Sequence, residues 1–146
     1  MYRALKKSAS ISKLPAWQSD LGDFTKVVGI TSFGDFFLRD PASGEYAILQ
    51  PLEAEMNSIG FDDEDGLAEF LSNPDIVKEV LRPKDVAALE KRLGTLGPEE
   101  VFFPVPYPCL GGSGKLSTYD KGDAWVFAEI AGQTPLGGEG DESGDN

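Results

Sequence analysis

With 146 residues, 40% of them apolar and 10% aromatic, the chain has the size and composition of one globular domain. Its formal charge of −12, from 25 acids against 13 Lys and Arg, argues against nucleic-acid binding, because phosphate backbones select basic surfaces. Histidine is absent, which removes the commonest general base and metal ligand, and a single cysteine, Cys109, rules out an internal disulfide.

The first 17 residues carry Arg3, Lys6, Lys7 and Lys13 and no acid before Asp20. Such a start is compatible with a transit peptide, but without an apolar h-region it does not read as a secretory signal. The expectation is a frayed or edge-packed lead-in over residues 1–24. Thr25–Ile30 reads as the first strand, and Phe33–Leu38 and Glu45–Leu49 read as a β-hairpin closed at Pro41–Gly44.

The middle reads as helical. Leu67, Phe70 and Leu71 share a helix face that follows the acids Asp62 to Asp65, which suit the positive end of a helix dipole. Asn73-Pro74-Asp75 is a cap with proline at the first helical position, leading to Ile76, Val77, Val80 and Leu81. Pro83 repeats the device for Val86, Leu89 and Leu93, and Gly94 stops that helix.

Val101–Val105 reads as a strand entering a loop with Pro104, Pro106 and Pro108, and Leu116–Asp120 as another short strand. Asp123–Ala131 is apolar except at Asp123 and Glu129, so periodicity leaves helix and strand equally open. The glycine- and acid-rich residues 137–146 are expected to be a disordered tail. The domain is therefore expected over residues 25–133, with an α+β fold in which an antiparallel sheet with an N-terminal hairpin packs against a central group of helices.

Three motifs invite chemistry and fail on spacing. Around Gly114-Lys115 a phosphate loop needs glycine where Cys109 stands and a hydroxyl where Leu116 stands. A calcium loop ending its acidic half at Gly66 needs Asp at Phe61 and Glu at Ser72. Cys109 has no histidine to activate it. No catalytic residue, metal site or cofactor is expected.

Charge distribution says more. From Asp40 to Val77 there are ten acids and no Lys or Arg. Solvated surfaces usually mix signs, so a one-sign stretch accepts self-repulsion that solubility does not require. It suits a face for a basic partner.

Val28–Asp40, Leu93–Glu100 and Phe103–Gln133 together carry a resemblance. Phe33-Gly34-Asp35, Leu96-Gly97, Glu100-Val101 and Leu110-Gly111-Gly112 stand in the order and spacing of a bacterial family. The chain resembles the type VI secretion immunity domains found behind GAD-like domains in proteins that neutralise DNase effectors. The 24 residues before the first expected strand leave no room for a GAD-like domain, so the expectation is the bare domain. The resemblance implies a cytoplasmic, non-enzymatic antidote bound to a cognate effector toxin domain with an electropositive site for nucleic acid or nucleotides.

It transfers no contact residues. Charge nominates Glu53, Glu55, Asp62, Asp63, Glu64 and Asp65 as partner-binding, with Tyr107 from the proline-rich loop. Aromatic anchors are sought among Tyr46, Phe61, Tyr107 and Tyr119. The competing readings are a general interaction domain without a toxin partner, and a carboxylate enzyme with a bound metal.

Overall fold

The computed structural model describes residues 2–60, 63–105, 111 and 115–133. Among these residues seven strands form two antiparallel sheets, accompanied by a few short helices. The larger is a meander of β1 (Tyr2–Ser10), β2 (Lys26–Thr31), β3 (Phe36–Arg39), β4 (Tyr46–Gln50) and β5 (Glu55–Ser58), each paired with the next. The smaller pairs β6 (Glu100–Pro104) with β7 (Tyr119–Asp123). The α+β class and the β3–β4 hairpin are as the aromatic and β-branched runs around the Pro41–Gly44 turn implied.

The hairpin shows why those residues were legible. Asp40 Oδ1 accepts the Ala42 N–H at 2.8 Å, and Gly44, at φ 83°, donates to the Asp40 carbonyl at 2.7 Å. The aspartate organises the turn and only the glycine tolerates its left-handed backbone. The sheet is covered on both faces, so β3 reads as unbroken apolar sequence. Phe36 and Leu38 join one core cluster, whereas Phe37 joins the other.

The face bearing Phe37, Tyr46 and Ile48 is covered by α1 (Glu64–Ser72) through Leu67. One turn of α-helix, α2 (Pro74–Ile76), follows and passes into a π-helical turn, Val77–Leu81. Val80 and Leu81 are buried against the same cluster. Arg82, at φ 47°, then turns the chain into α3 (Pro83–Leu93), which Gly94 ends at φ 89°. Proline at the starts of α2 and α3 and glycine at the stop of α3 made those boundaries readable. The π turn had no sequence signal.

The opposite face is covered by α4 (Ala124–Gln133) and by the segment that precedes β2. Asp123 decides the type of the last apolar segment, which sequence left open. Its Oδ1 accepts the N–H groups of Trp125 at 2.9 Å and Val126 at 3.0 Å, a helix N-cap. Ala124, Phe127, Ala128 and Ala131 then face inward at helical spacing.

Of the two expectations for residues 1–24, frayed or edge-packed, the second describes them. The expected lead-in supplies the edge strand β1 and buries Ile11, Leu14, Trp17 and Leu21 in the main core. The Trp17 indole donates to the Ala128 carbonyl at 2.8 Å, and Glu129 accepts the Ala16 N–H at 3.0 Å. A Cβ at Gly132 would collide with Ala16 and Trp17, so glycine there permits the close approach. The folded unit therefore reaches back to residue 2, not 25. The strand expected at Leu116–Asp120 is also displaced: Leu116–Thr118 is a 3-10 turn and β7 begins at Tyr119. The tail 137–146 lies outside the described residues.

Candidate functional site

The nominated carboxylates divide between two places. Glu53 ends a short 3-10 turn, Pro51–Glu53, after β4, and Glu55 opens β5. Ala54 between them holds φ 55°, a left-handed conformation that costs a residue with a Cβ and reverses the chain. Both acids are exposed. The second place is the start of α1, where Asp63, Glu64 and Asp65 are also exposed. Asp62 and Tyr107 lie outside the described residues, as do Phe61 and Cys109.

Asp63 is committed to structure as well as charge. Its Oδ1 accepts the Gly66 N–H at 2.7 Å, so it caps α1. Glu64 and Asp65 stand in the first turn, where the helix dipole stabilises them. Of the acids at the α1 start, Glu64 and Asp65 hold no cap and are the freer to meet a partner.

The aromatic candidates are a second correction. Tyr46 is 3% exposed and lies in the core under the Arg39 guanidinium, whose Cζ is 5.0 Å from the ring centre. Tyr119 is 7% exposed and meets Phe33 edge-on at 6.0 Å. Neither ring is available as an anchor. Strand alternation turns both inward, a consequence of register that composition does not carry. Among the described residues the exposed large apolar side chains are instead Val105, Val126 and Ile130, the last two one helical turn apart on α4.

Two cavities flank the Pro51–Met56 connection. One, of about 250 Å³, is lined by Trp17, Leu21, Leu49 and Met56 together with the acids Asp20 and Glu55. The other, of about 70 Å³, is lined by Asp35, Gln50, Glu53, Glu79 and Arg82 beside Phe33. Its volume suits one or two water molecules.

Sequence reasoning did not single out Asp35. It sits in the β2–β3 turn, where Thr31 Oγ1 donates to its Oδ2 at 3.2 Å and accepts its backbone N–H at 3.1 Å. Burial pushes its carboxyl up to about 7, opposed by the Thr31 bond and the Arg82 charge and reinforced by Glu53. Arg82 itself lies over Phe33, with Cζ 4.0 Å from the ring centre, and pairs with Asp85 at 2.9 Å. The available signal was the aspartate within Phe33-Gly34-Asp35, between the valine-rich β2 and the aromatic β3.

Among the described residues no group of three or more Cys, Asp or Glu side chains is placed to hold a metal ion. Among them, too, no helix is long and apolar enough to cross a membrane. The arrangement offers an acidic surface around the β4–β5 connection and the start of α1, backed by apolar clefts.

No family model and no curated protein sequence matches the chain. Among solved structures the chain is similar to Atu4351 from Agrobacterium tumefaciens, with a TM-score of 0.66 and 18% sequence identity. The match covers 90% of this chain and 66% of that chain, so this chain spans only part of its neighbour's length. At that identity the likeness establishes a shared fold.

Proposed function

We propose that the protein is an immunity protein that binds the toxin domain of a cognate secreted bacterial effector in the cytoplasm and blocks its active site without catalysis. The observation that carries this reading is a run of acids, unbroken by any base in sequence, that the fold leaves exposed. Glu53, Glu55, Asp63, Glu64, Asp65, Glu69 and Asp75 are all exposed in a stretch without a single Lys or Arg. The ion pairs Lys13–Glu99, Arg82–Asp85 and Lys121–Glu100 all fall outside it. An enzyme site built for phosphates is electropositive, so a carboxylate surface complements it and speeds encounter. The resemblance of Phe33-Gly34-Asp35 and the later glycine motifs to type VI secretion immunity domains agrees with this. Blocking a lethal activity calls for nanomolar or tighter affinity, about −12 kcal/mol, so apolar contacts must accompany the charge.

The test is co-expression with the toxin domain encoded beside this gene. Growth should be rescued and the two chains should co-purify at fixed stoichiometry. Rescue without a stable complex would sink the binding mechanism and point to enzymatic reversal of damage. Absence of both would favour a general interaction domain with no toxin partner.

A further inference from the structure

The two edges of the five-stranded sheet differ in how they are protected. An open edge strand is a template for another chain, and proteins guard it with lysines, prolines or bulges. At one edge, β1 carries exposed Lys7, and its register against β2 shifts between Ala4 and Ala9. At the other edge, β5 has the sequence Glu-Met-Asn-Ser and no lysine, proline or register break. Among the described residues no strand pairs with its outer side.

The register identifies which backbone groups are free. Ile59 donates its N–H to the Tyr46 carbonyl at 3.0 Å, continuing the pairing of Ala47 with Ser58, Ile48 with Asn57, Leu49 with Met56 and Gln50 with Glu55. Hydrogen-bonded pairs alternate along an antiparallel ladder. Asn57 and Glu55 therefore turn their N–H and C=O groups toward β4, and Met56 and Ser58 turn theirs outward. Beside that edge lies the 250 Å³ cleft, with Trp17, Leu21 and Leu49 as apolar lining and Asp20 and Glu55 as its charges. A lysine or arginine fits such a cleft, its alkyl stem on the apolar lining and its head at the carboxylates.

We propose that the outer edge of β5 accepts an extended, basic segment of a partner protein as a sixth strand. Main-chain bonds to Met56 and Ser58 hold the segment, and a Lys or Arg side chain enters the Asp20–Glu55 cleft. The proposal rests on the binding reading above and names the kind of segment that reading requires. Charge selects this occupant over two others. A second copy would bring another Glu55-bearing edge and another −12 charge against this one. The chain's own C-terminal segment carries Glu139, Asp141, Glu142 and Asp145 and meets the same repulsion.

A fluorescein-labelled twelve-residue peptide of alternating threonine and arginine tests the proposal by anisotropy and amide exchange. It should bind saturably, slow exchange at the Met56 and Ser58 amides, and bind at least tenfold more weakly to Ser58→Pro. That substitution changes no charge, deletes the outward N–H and fixes φ, while Ser58→Ala, which removes the hydroxyl alone, should bind as the parent does. Asp20→Asn with Glu55→Gln should also weaken binding at least tenfold. Equal affinity for Ser58→Pro and the parent, or no slowing at Met56 and Ser58, would overturn the proposal; the exchange measurement on the parent stands even if the proline variant fails to fold. A dimer lost in Ser58→Pro would assign the edge to a second copy and overturn it. Met56 and Ser58 amides protected in the free protein and released on deleting residues 137–146 would assign it to the tail, with the same consequence. A toxin complex indifferent to Ser58→Pro sinks the edge alone, whereas peptide capture without a toxin complex sinks the immunity reading alone.

Discussion

The β1 edge is tied into the molecule, whereas the β5 edge is left open. On β1, the Arg3 guanidinium donates to the carbonyls of Gly97 and Glu100, each at 2.6 Å, and of Thr31 at 3.2 Å. It thereby bolts the large sheet to the segment that begins β6. Tyr2 beside it packs edge-on against Phe37 at 5.2 Å, and burial pushes its phenol up to about 12. A Cβ at Gly29 would collide with that ring, so the close approach depends on glycine. On β5, Glu55, Asn57 and Ser58 are exposed and Met56 alone reaches the core. One half-buried cationic side chain bonded to carbonyls does structural work, while the exposed anion Glu55 contributes almost nothing to folding and remains available for a partner.

The sharpest way to break that contrast is Arg3→Ala. Losing the charge-assisted bonds and the packing of the stem should lower unfolding stability by about 3 kcal/mol. A denaturant midpoint unchanged from the parent would mean that β1 is not the structural edge.

Asp35 gives the next largest effect, through pH. Its folded-state carboxyl stands near 7 against an ordinary 3.8, so the native state holds the proton longer than the unfolded chain. The penalty is absent below 3.8, grows as pH rises toward 7 and is constant above. Asp35→Asn should remove it and keep the Thr31 bond. The variant should gain about 1–3 kcal/mol over the parent between pH 4 and pH 8, remaining solvent exposure keeping the gain modest. Equal pH dependence of the two proteins in urea titrations would show that the carboxyl is solvated.

Within the acidic surface itself, the cap separates structural from free charge. Asp63→Ala should cost about 1 kcal/mol because the Gly66 N–H loses its acceptor. Asp65→Lys in the same helix turn should cost only a few tenths of a kcal/mol from the dipole. Circular dichroism melts that rank the two the other way would remove Asp63 from its capping role.

The smallest stability effect is expected at Glu53→Lys with Glu55→Lys, within about 0.5 kcal/mol of the parent. Association with the toxin domain should nevertheless slow, and the difference should shrink as salt rises. Surface plasmon resonance showing the same on-rate at low salt would move the contact surface off this edge.

Much of the fold was legible because local chemistry acts over a few residues. Asp40 and Gly44 announce the hairpin turn, Pro74 and Pro83 the helix starts, and Gly94 the stop. Less visible was the N-terminal segment, although Ile11, Leu14, Trp17 and Leu21 recur at near-helical spacing. Basic and serine residues between them masked the pattern, and their burial depends on α4, more than a hundred residues away. The same distance explains α4 itself. Asp123 is a cap signal in plain view, but an all-apolar run reads alike as helix or strand until the opposite face of the sheet is known.

For the site, sequence alone determined the acidic character of the segment, with ten acids and no base between Asp40 and Val77. Only the tertiary structure decided what each residue can do with that charge. It turned Tyr46 and Tyr119 inward through strand register and made Asp63 a cap. It also placed Glu55 at the open edge beside Trp17, and desolvated Asp35 enough to push its carboxyl up. Charge is a property of composition, whereas exposure, register and desolvation belong to contacts between segments distant in sequence.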